Sequence, residues 1–336
     1  MGYNRIAGHE DVIGLLRLAM NRQRLAHGYI FEGVPGCGKR LVARELAKAL
    51  LCESGLDEGC GHCQSCLKFE TQNHPDYLEI EPDGKSVKVE QIEALQSFVL
   101  IKPYSGARKV VVVDEAQTMT ASAQNRLLKL IEEPPAYATL IFVTNQADAL
   151  LPTILSRCQV VSFSRLNPPV IEAWLIEAHG VESGVARVAS NFADGSIAKA
   201  LMLATSEVFS QTRQDAFDIL KALMKRDPLE GLFKLQKYSA DKVLATSLIE
   251  LMIIWYRDIS ALSVDPESAK IFSQDKRSDL IELLGKTQKS PWLDCLDILD
   301  QTARALNSNA NTSLAMHAMA LKIQEVMHDN SRRGPV

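Results

Sequence analysis

The segment Gly28-Tyr29-Ile30-Phe31-Glu32-Gly33-Val34-Pro35-Gly36-Cys37-Gly38-Lys39-Arg40 decides the fold. Its first residues form a short apolar run, its middle is rich in glycine, and Leu41 to Leu51 follows with helical spacing. Strand, glycine loop and helix in that order are the context of a phosphate-binding P-loop. Gly33, Pro35, Gly36 and Gly38 would shape a loop whose backbone N–H groups point inward at phosphate oxygens. The helix N-terminus adds a positive dipole end, and Lys39 would reach the β- and γ-phosphates. The plainer reading is a glycine-rich turn with no ligand. A hydrolysing P-loop carries Ser or Thr at its last position, because the hydroxyl coordinates Mg²⁺. This chain has Arg40, whose guanidinium offers only donors and cannot ligate a cation. A phosphate contact by Arg40, and binding of ATP or ADP, stay open for this loop; efficient hydrolysis is not expected.

Further along the chain, Lys109-Val110-Val111-Val112-Val113-Asp114 is a β-branched run without alternation, as expected of a strand covered on both faces. Thr139 to Thr144 and Val160 to Phe163 read as further strands, and Ala121 to Glu133 as a helix ended by Pro134-Pro135. Strands alternating with helices predict right-handed βαβ units and a parallel α/β sheet over residues 1–166. Asp114-Glu115 closes a buried strand about 75 residues after the glycine loop. There Asp114 would hold Mg²⁺ or its water and Glu115 would orient an attacking water. Asn145 ends the next strand, where its amide could sense a γ-phosphate; taken alone it reads as a turn residue.

Beyond Pro168-Pro169 the strand signals stop. Val170 to Thr205 reads as short helices broken by Gly180, Gly184 and Gly195. From Glu207 the pattern is helical almost throughout, with Asp215 to Met224, Ala245 to Leu262 and Trp292 to Leu306 the clearest stretches. Residues 208–336 carry 17 Lys+Arg against 17 Asp+Glu, mixed along helices, which suits a packing or oligomerisation domain better than a nucleic-acid arm.

The whole chain has 336 residues, 46% hydrophobic and 23% charged, with a net charge of −4. That is ordinary globular composition and argues against free-standing electrostatic binding to nucleic acid. The longest apolar stretch, Leu248 to Tyr256, is far too short to span a bilayer and contains Glu250. The first residues lack a signal-peptide core, so a cytoplasmic location is expected.

Of seven cysteines, Cys52, Cys60, Cys63 and Cys66 cluster, with Cys60-Gly61-His62-Cys63-Gln64-Ser65-Cys66 forming two overlapping C-x₂-C units. Four thiolates so close in a cytosolic chain suit a tetrahedral structural Zn²⁺ site with no open position for catalysis. His62 and His74 are rival ligands, and an iron–sulfur cluster is the alternative metal. The small polar insert, about residues 52–66, favours zinc.

Two segments remain: Asn125-Arg126-Leu127-Leu128-Lys129-Leu130-Ile131-Glu132-Glu133-Pro134-Pro135 and Ser156-Arg157-Cys158. On pattern they are an amphipathic helix and a loop with one solvated Arg. Together with the P-loop, the cysteine insert and Val113-Asp114-Glu115-Ala116, in this order, they resemble the bacterial clamp-loader AAA+ family. The motifs cover about residues 6–166; the rest fits by length and helical character.

The resemblance implies a RecA-like AAA+ domain (1–166), a small helical lid (167–207) and a helical collar (208–336) that builds a hetero-pentamer. It implies as partners a motor subunit (gamma or tau) and a delta subunit and, through them, the sliding clamp and primer-template DNA. It also implies that Arg157 acts in trans on ATP held by a neighbour. Two departures set this chain apart from the motor. Arg40 replaces the motor's Ser or Thr, and Ala198 stands in Gly195-Ser196-Ile197-Ala198 where the motor's lid carries a nucleotide-sensing Arg. Both fit a stator-like subunit of the DNA polymerase III holoenzyme, with little ATPase activity of its own. The alternatives are an ATP-hydrolysing motor subunit or other active AAA+ ATPase, and a zinc-containing DNA-binding module.

Overall fold

The computed structural model describes residues 2–3, 6–55, 57–225, 229–267, 271–285, 291–308 and 310–328. The chain separates into two compact units, Met1–His179 with Ser190–Leu201, and Gly180–Ala189 with Met202–Val336.

The first unit is built on the strands β1 (Gly28–Gly33), β2 (Tyr77–Ile80), β3 (Lys109–Val113), β4 (Ala138–Thr144) and β5 (Gln159–Phe163). Its helices are α1 (Glu10–Asn21), α2 (Lys39–Leu51), α3 (Gln64–Glu70), α4 (Val89–Leu100), α5 (Ala121–Glu132), α6 (Pro152–Leu155) and α7 (Pro168–His179). The five strands form one sheet in the order β2-β3-β4-β1-β5, and every pairing is parallel. This bears out the expected α/β class.

Every residue of β3 and of β4 is buried, because successive side chains enter opposite cores. Ile30, Val111, Val113, Leu140 and Phe142 pack with Leu95 of α4 and Leu127 of α5. Tyr29, Phe31, Val110, Val112, Ile141 and Val143 pack with Leu16 of α1 and Leu46 of α2. A sheet covered on both faces leaves the ends of its strands as the places where polar groups can meet a ligand.

The helices α8 (Ser183–Phe192) and α9 (Ile197–Thr205) fall partly in each unit. Gly184 does not break the chain, as its residue type suggested. It lies in the first turn of α8, where an added Cβ would collide with the Asp275 carboxylate. Close packing, rather than a turn, accounts for this glycine.

The second unit is all helical, with α10 (Glu207–Leu223), α11 (Leu229–Ser239), α12 (Lys242–Val264), α13 (Arg277–Gly285), α14 (Trp292–Asn307) and α15 (Thr312–His328). Its core is centred on α12, whose Trp255 and Tyr256 are fully buried against Phe217 and Trp292. Arg213 donates to Asp275 at 2.7 Å and lies over the Trp255 ring, so its charge is neutralised where it is desolvated. No helix among the described residues is long and apolar enough to cross a membrane.

Candidate functional site

The glycine loop joins the end of β1 to the start of α2. Gly36 and Gly38 have φ of +71° and +111°, which L side chains rarely adopt. A Cβ on Gly36 would also meet Ser196 Oγ at 2.5 Å and Ala198 Cβ at 2.9 Å. The Gly195-Ser196-Ile197-Ala198 segment therefore lies directly on the loop, and Ala198 N donates to Gly36 O at 3.1 Å. Where a longer cation would reach into the loop, this chain presents a methyl group.

A cleft of about 280 Å³ opens here, lined among others by Lys39, Arg40, Asp114, Glu115, Asn145 and Ala198. The structure thus brings together the phosphate-site candidates singled out in the sequence, with Pro35, Gly36 and Gly38 in the wall and Gly33 supplying a carbonyl. Lys39 is 4% exposed, and burial pulls its pKa below the usual lysine value. Its ammonium donates to Gly33 O at 2.7 Å, Val34 O at 2.8 Å and Asn145 Oδ1 at 2.9 Å. An ammonium has three donors, so all three are taken by the chain itself.

Arg40 sits among carboxylates rather than facing the loop. Its Nε donates to Glu79 Oε1 at 2.8 Å, its terminal nitrogens pair with Glu81 and with Asp114 Oδ2, the latter at 3.3 Å. Burial opposes the charge most strongly, yet Glu79, Asp114 and Glu81 hold the Arg40 pKa above the ordinary arginine value. Arg44 binds the second oxygen of Glu79 at 3.2 Å, and the Tyr77 hydroxyl donates to it at 2.9 Å.

Glu115 has φ of +46°, a left-handed conformation that costs a non-glycine residue roughly 1 kcal/mol or more. Gln117, which sequence reasoning missed, accepts from Asn145 N at 3.2 Å and from Thr144 Oγ1 at 3.0 Å. It fixes the end of β4 and so the amide that holds Lys39. Glu79 and Glu81 were missed as well, because β2 itself went unread.

The divalent ion that a P-loop implies does not fit these residues. The hydroxyl ligand is absent, and Asp114, the carboxylate meant to hold the ion, is already bound to Arg40.

The four cysteines do fit a metal. Their sulfurs all lie within 4.8 Å of one another, with Cys52–Cys63 and Cys60–Cys66 each 4.0 Å apart. Sulfurs at about 2.3 Å from a tetrahedral centre would be separated by nearly that distance. Backbone N–H groups of Cys60, Cys63 and Cys66 each donate to a cluster sulfur at 3.4 Å, supplying the outer support that orients thiolate ligands. Burial lifts the Cys66 thiol to about 12, a cost that a cation among the sulfurs would reverse. The rival histidines lie outside the cluster. His62 bonds Cys60 O at 2.9 Å and is exposed, while His74 is held by Ser65 Oγ at 2.8 Å and the Asp76 N–H at 3.1 Å.

Arg157 lies between α6 and β5, two residues before Gln159. The strands are parallel, so it is at their N-terminal ends, whereas the glycine loop is at their C-terminal ends. Gln159 pairs with Tyr29 and Phe163 with Gly33, which sets about 13 Å of strand between the two ends. Its guanidinium meets Glu132 Oε1 at 3.0 Å and donates to Thr153 O at 3.2 Å. That ion pair ties the two late sequence motifs to each other, with Glu132 supplied by the last turn of α5.

A parallel sheet in this order, a glycine loop between β1 and α2 and an acidic pair ending β3 define a P-loop domain of the AAA+ class. A family model described as "DNA polymerase III, delta subunit" matches residues 8–167. Over 317 residues the chain is 32% identical to DNA polymerase III subunit delta' of Bacillus subtilis (strain 168), covering 94% of this chain and 95% of that one. It is 40% identical over 140 residues to the Pseudomonas aeruginosa protein of the same name, covering 41% and 43%. DNA polymerase III subunit tau of B. subtilis is 26% identical over 357 residues, and the match covers 98% of this chain but 62% of tau. The chain belongs to the DNA polymerase III subunit delta' family.

Proposed function

We propose that this chain is the stator-like subunit of a clamp loader: it does not turn over ATP at its own P-loop, and it lends Arg157 to the ATP site of a neighbouring motor subunit. The assembly would be a cytoplasmic hetero-pentamer with motor (gamma or tau) and delta subunits, loading a sliding clamp onto primer-template DNA. In this reading residues 1–166 are the AAA+ domain, 167–207 its lid and 208–336 the collar. One observation carries it: the position that needs a metal-ligating hydroxyl holds Arg40, bound to Glu79, Glu81 and Asp114. The split between 32% identity to delta' and 26% to tau supports the same choice over the motor alternative.

The Arg157 role follows from charge. In a loose phosphoryl-transfer transition state negative charge is spread over the γ-phosphoryl oxygens, and an arginine supplied from outside stabilises it. Arg157 is remote from its own glycine loop and partly exposed, at 39% of its side chain. Its exposed pair with Glu132 is worth at most about 1 kcal/mol, so the guanidinium can leave it for a neighbour's phosphate at little cost. We further propose that Cys52, Cys60, Cys63 and Cys66 hold one structural Zn²⁺, which would supply no chemistry beyond tying the end of α2 to α3.

Steady-state ATP hydrolysis by the isolated chain tests the first proposal. No turnover above background is expected. Hydrolysis comparable with that of a purified motor subunit measured alongside would restore the motor reading.

A further inference from the structure

We infer that Arg40 is a built-in replacement for the divalent cation of the P-loop, so that this cleft excludes Mg²⁺ and the metal complex of a nucleotide. The inference deepens the stator reading and rests on it for the identity of the site. Three carboxylates at the C-terminal ends of β2 and β3 converge on one guanidinium: Glu79 at 2.8 Å, Asp114 at 3.3 Å and Glu81 in direct contact. Glu79 pairs with Val112 and Ile80 with Val113, the last pair, so Glu81 and Asp114 each follow directly at the end of their strands. The sheet register therefore places acids from β2 and β3 side by side, and some cation has to neutralise them. In a hydrolysing P-loop that cation is a metal held by a hydroxyl and an acid. Here it is a side chain of the loop itself.

A divalent ion approaching Asp114 would have to displace the guanidinium and then share the acids with it. The two like charges would then sit side by side on the same carboxylates, and their repulsion rises as the separation falls. Arg40 also cannot turn into a ligand, since it has no acceptor and does not lose its proton. Lys39 reinforces the effect. With its three donors on Gly33 O, Val34 O and Asn145 Oδ1, the second cation of the cleft is satisfied without a phosphate. Both cations that line the cleft are thus held by the chain's own groups, as a nucleotide-free member of a ring requires if its shape is not to depend on ligand.

The test is a titration of the full-length chain with Mn²⁺, alone and with ATP, followed by the electron paramagnetic resonance signal of free Mn²⁺. The thiol cluster does not confuse the measurement, because thiolates select softer ions. Read against protein-free blanks with and without ATP, since ATP itself binds Mn²⁺, the parent is expected to remove no further free Mn²⁺ in either titration. Arg40→Thr, which frees Asp114 and restores a hydroxyl, is expected to gain one Mn²⁺ site with ATP, at least about tenfold tighter than any binding by the parent. One equivalent of Mn²⁺ bound by the parent overturns the inference without recourse to a variant. A folded Arg40→Thr that gains no site overturns it too, since Arg40 would then not be what excludes the ion. A parent that takes Mn²⁺ and still assembles with motor subunits sinks this inference alone. A parent that excludes Mn²⁺ and fails to assemble sinks the subunit assignment alone.

Discussion

Arg157→Ala, introduced into a reconstituted complex with motor and delta subunits, is expected to leave folding and assembly intact and to cut DNA- and clamp-stimulated ATP hydrolysis. At the one interface that Arg157 serves, the loss should be about 10³–10⁵ in rate, the usual effect of a supplied arginine. Turnover of the whole complex should fall less if its other interfaces carry arginines of their own. Arg157→Lys should rescue little, since an ammonium lacks the planar fork. Glu132→Gln should not mimic the loss: it removes only the resting partner at 3.0 Å. If complexes with Arg157→Ala hydrolyse ATP and load clamps like the parent, Arg157 does not act in trans.

The second large effect is expected at the cysteine cluster. Freshly purified protein should contain one equivalent of zinc, and its removal by a chelator should loosen the segment from Cys52 to Cys66. Metal-binding energy of this kind is folding energy. A loss of about 2 kcal/mol would lower Tm by roughly 4–8 °C for a unit of this size. Cys60→Ser should reproduce that drop and leave the glycine loop as it is, because none of the contacts of Lys39 or Arg40 involves the insert. Less than about half an equivalent of zinc, or a Cys60→Ser variant that melts with the parent, would count against the site.

The parts of the fold legible in the sequence are those whose residues carry their environment in their chemistry. The valine run of β3 and the apolar run of β4 are buried on both faces, so an unbroken β-branched stretch was sufficient. β2 was not legible. It is an edge strand of only four residues, three of them half buried, and Glu79 interrupts a run too short to establish a period. Its absence from the sequence reading also hid Glu79 and Glu81, and with them the partners of Arg40. The sequence reading had Arg40 free to reach phosphate; the structure commits it to carboxylates through a pairing of strands whose partners are 33 residues apart in sequence, as Tyr77 and Val110 are, which no local pattern encodes. Asp114 and Asn145 were legible because strand ends are where a sheet exposes polar groups. Gln117 was not, since a single polar residue in a turn has many ordinary uses, and Glu132, though inside a quoted motif, gave no local sign of its pairing with Arg157. Gly184 was misplaced for a related reason: a glycine required by close packing reads the same as one required by a turn.

The native mass of the chain mixed with purified motor and delta subunits tests most directly whether it is a clamp-loader subunit and not an independent ATPase. The expected result is a single complex that contains one copy of this chain together with both partners. A chain that stays free in the mixture, or that enters the complex in place of the motor copies, would contradict the clamp-loader assignment.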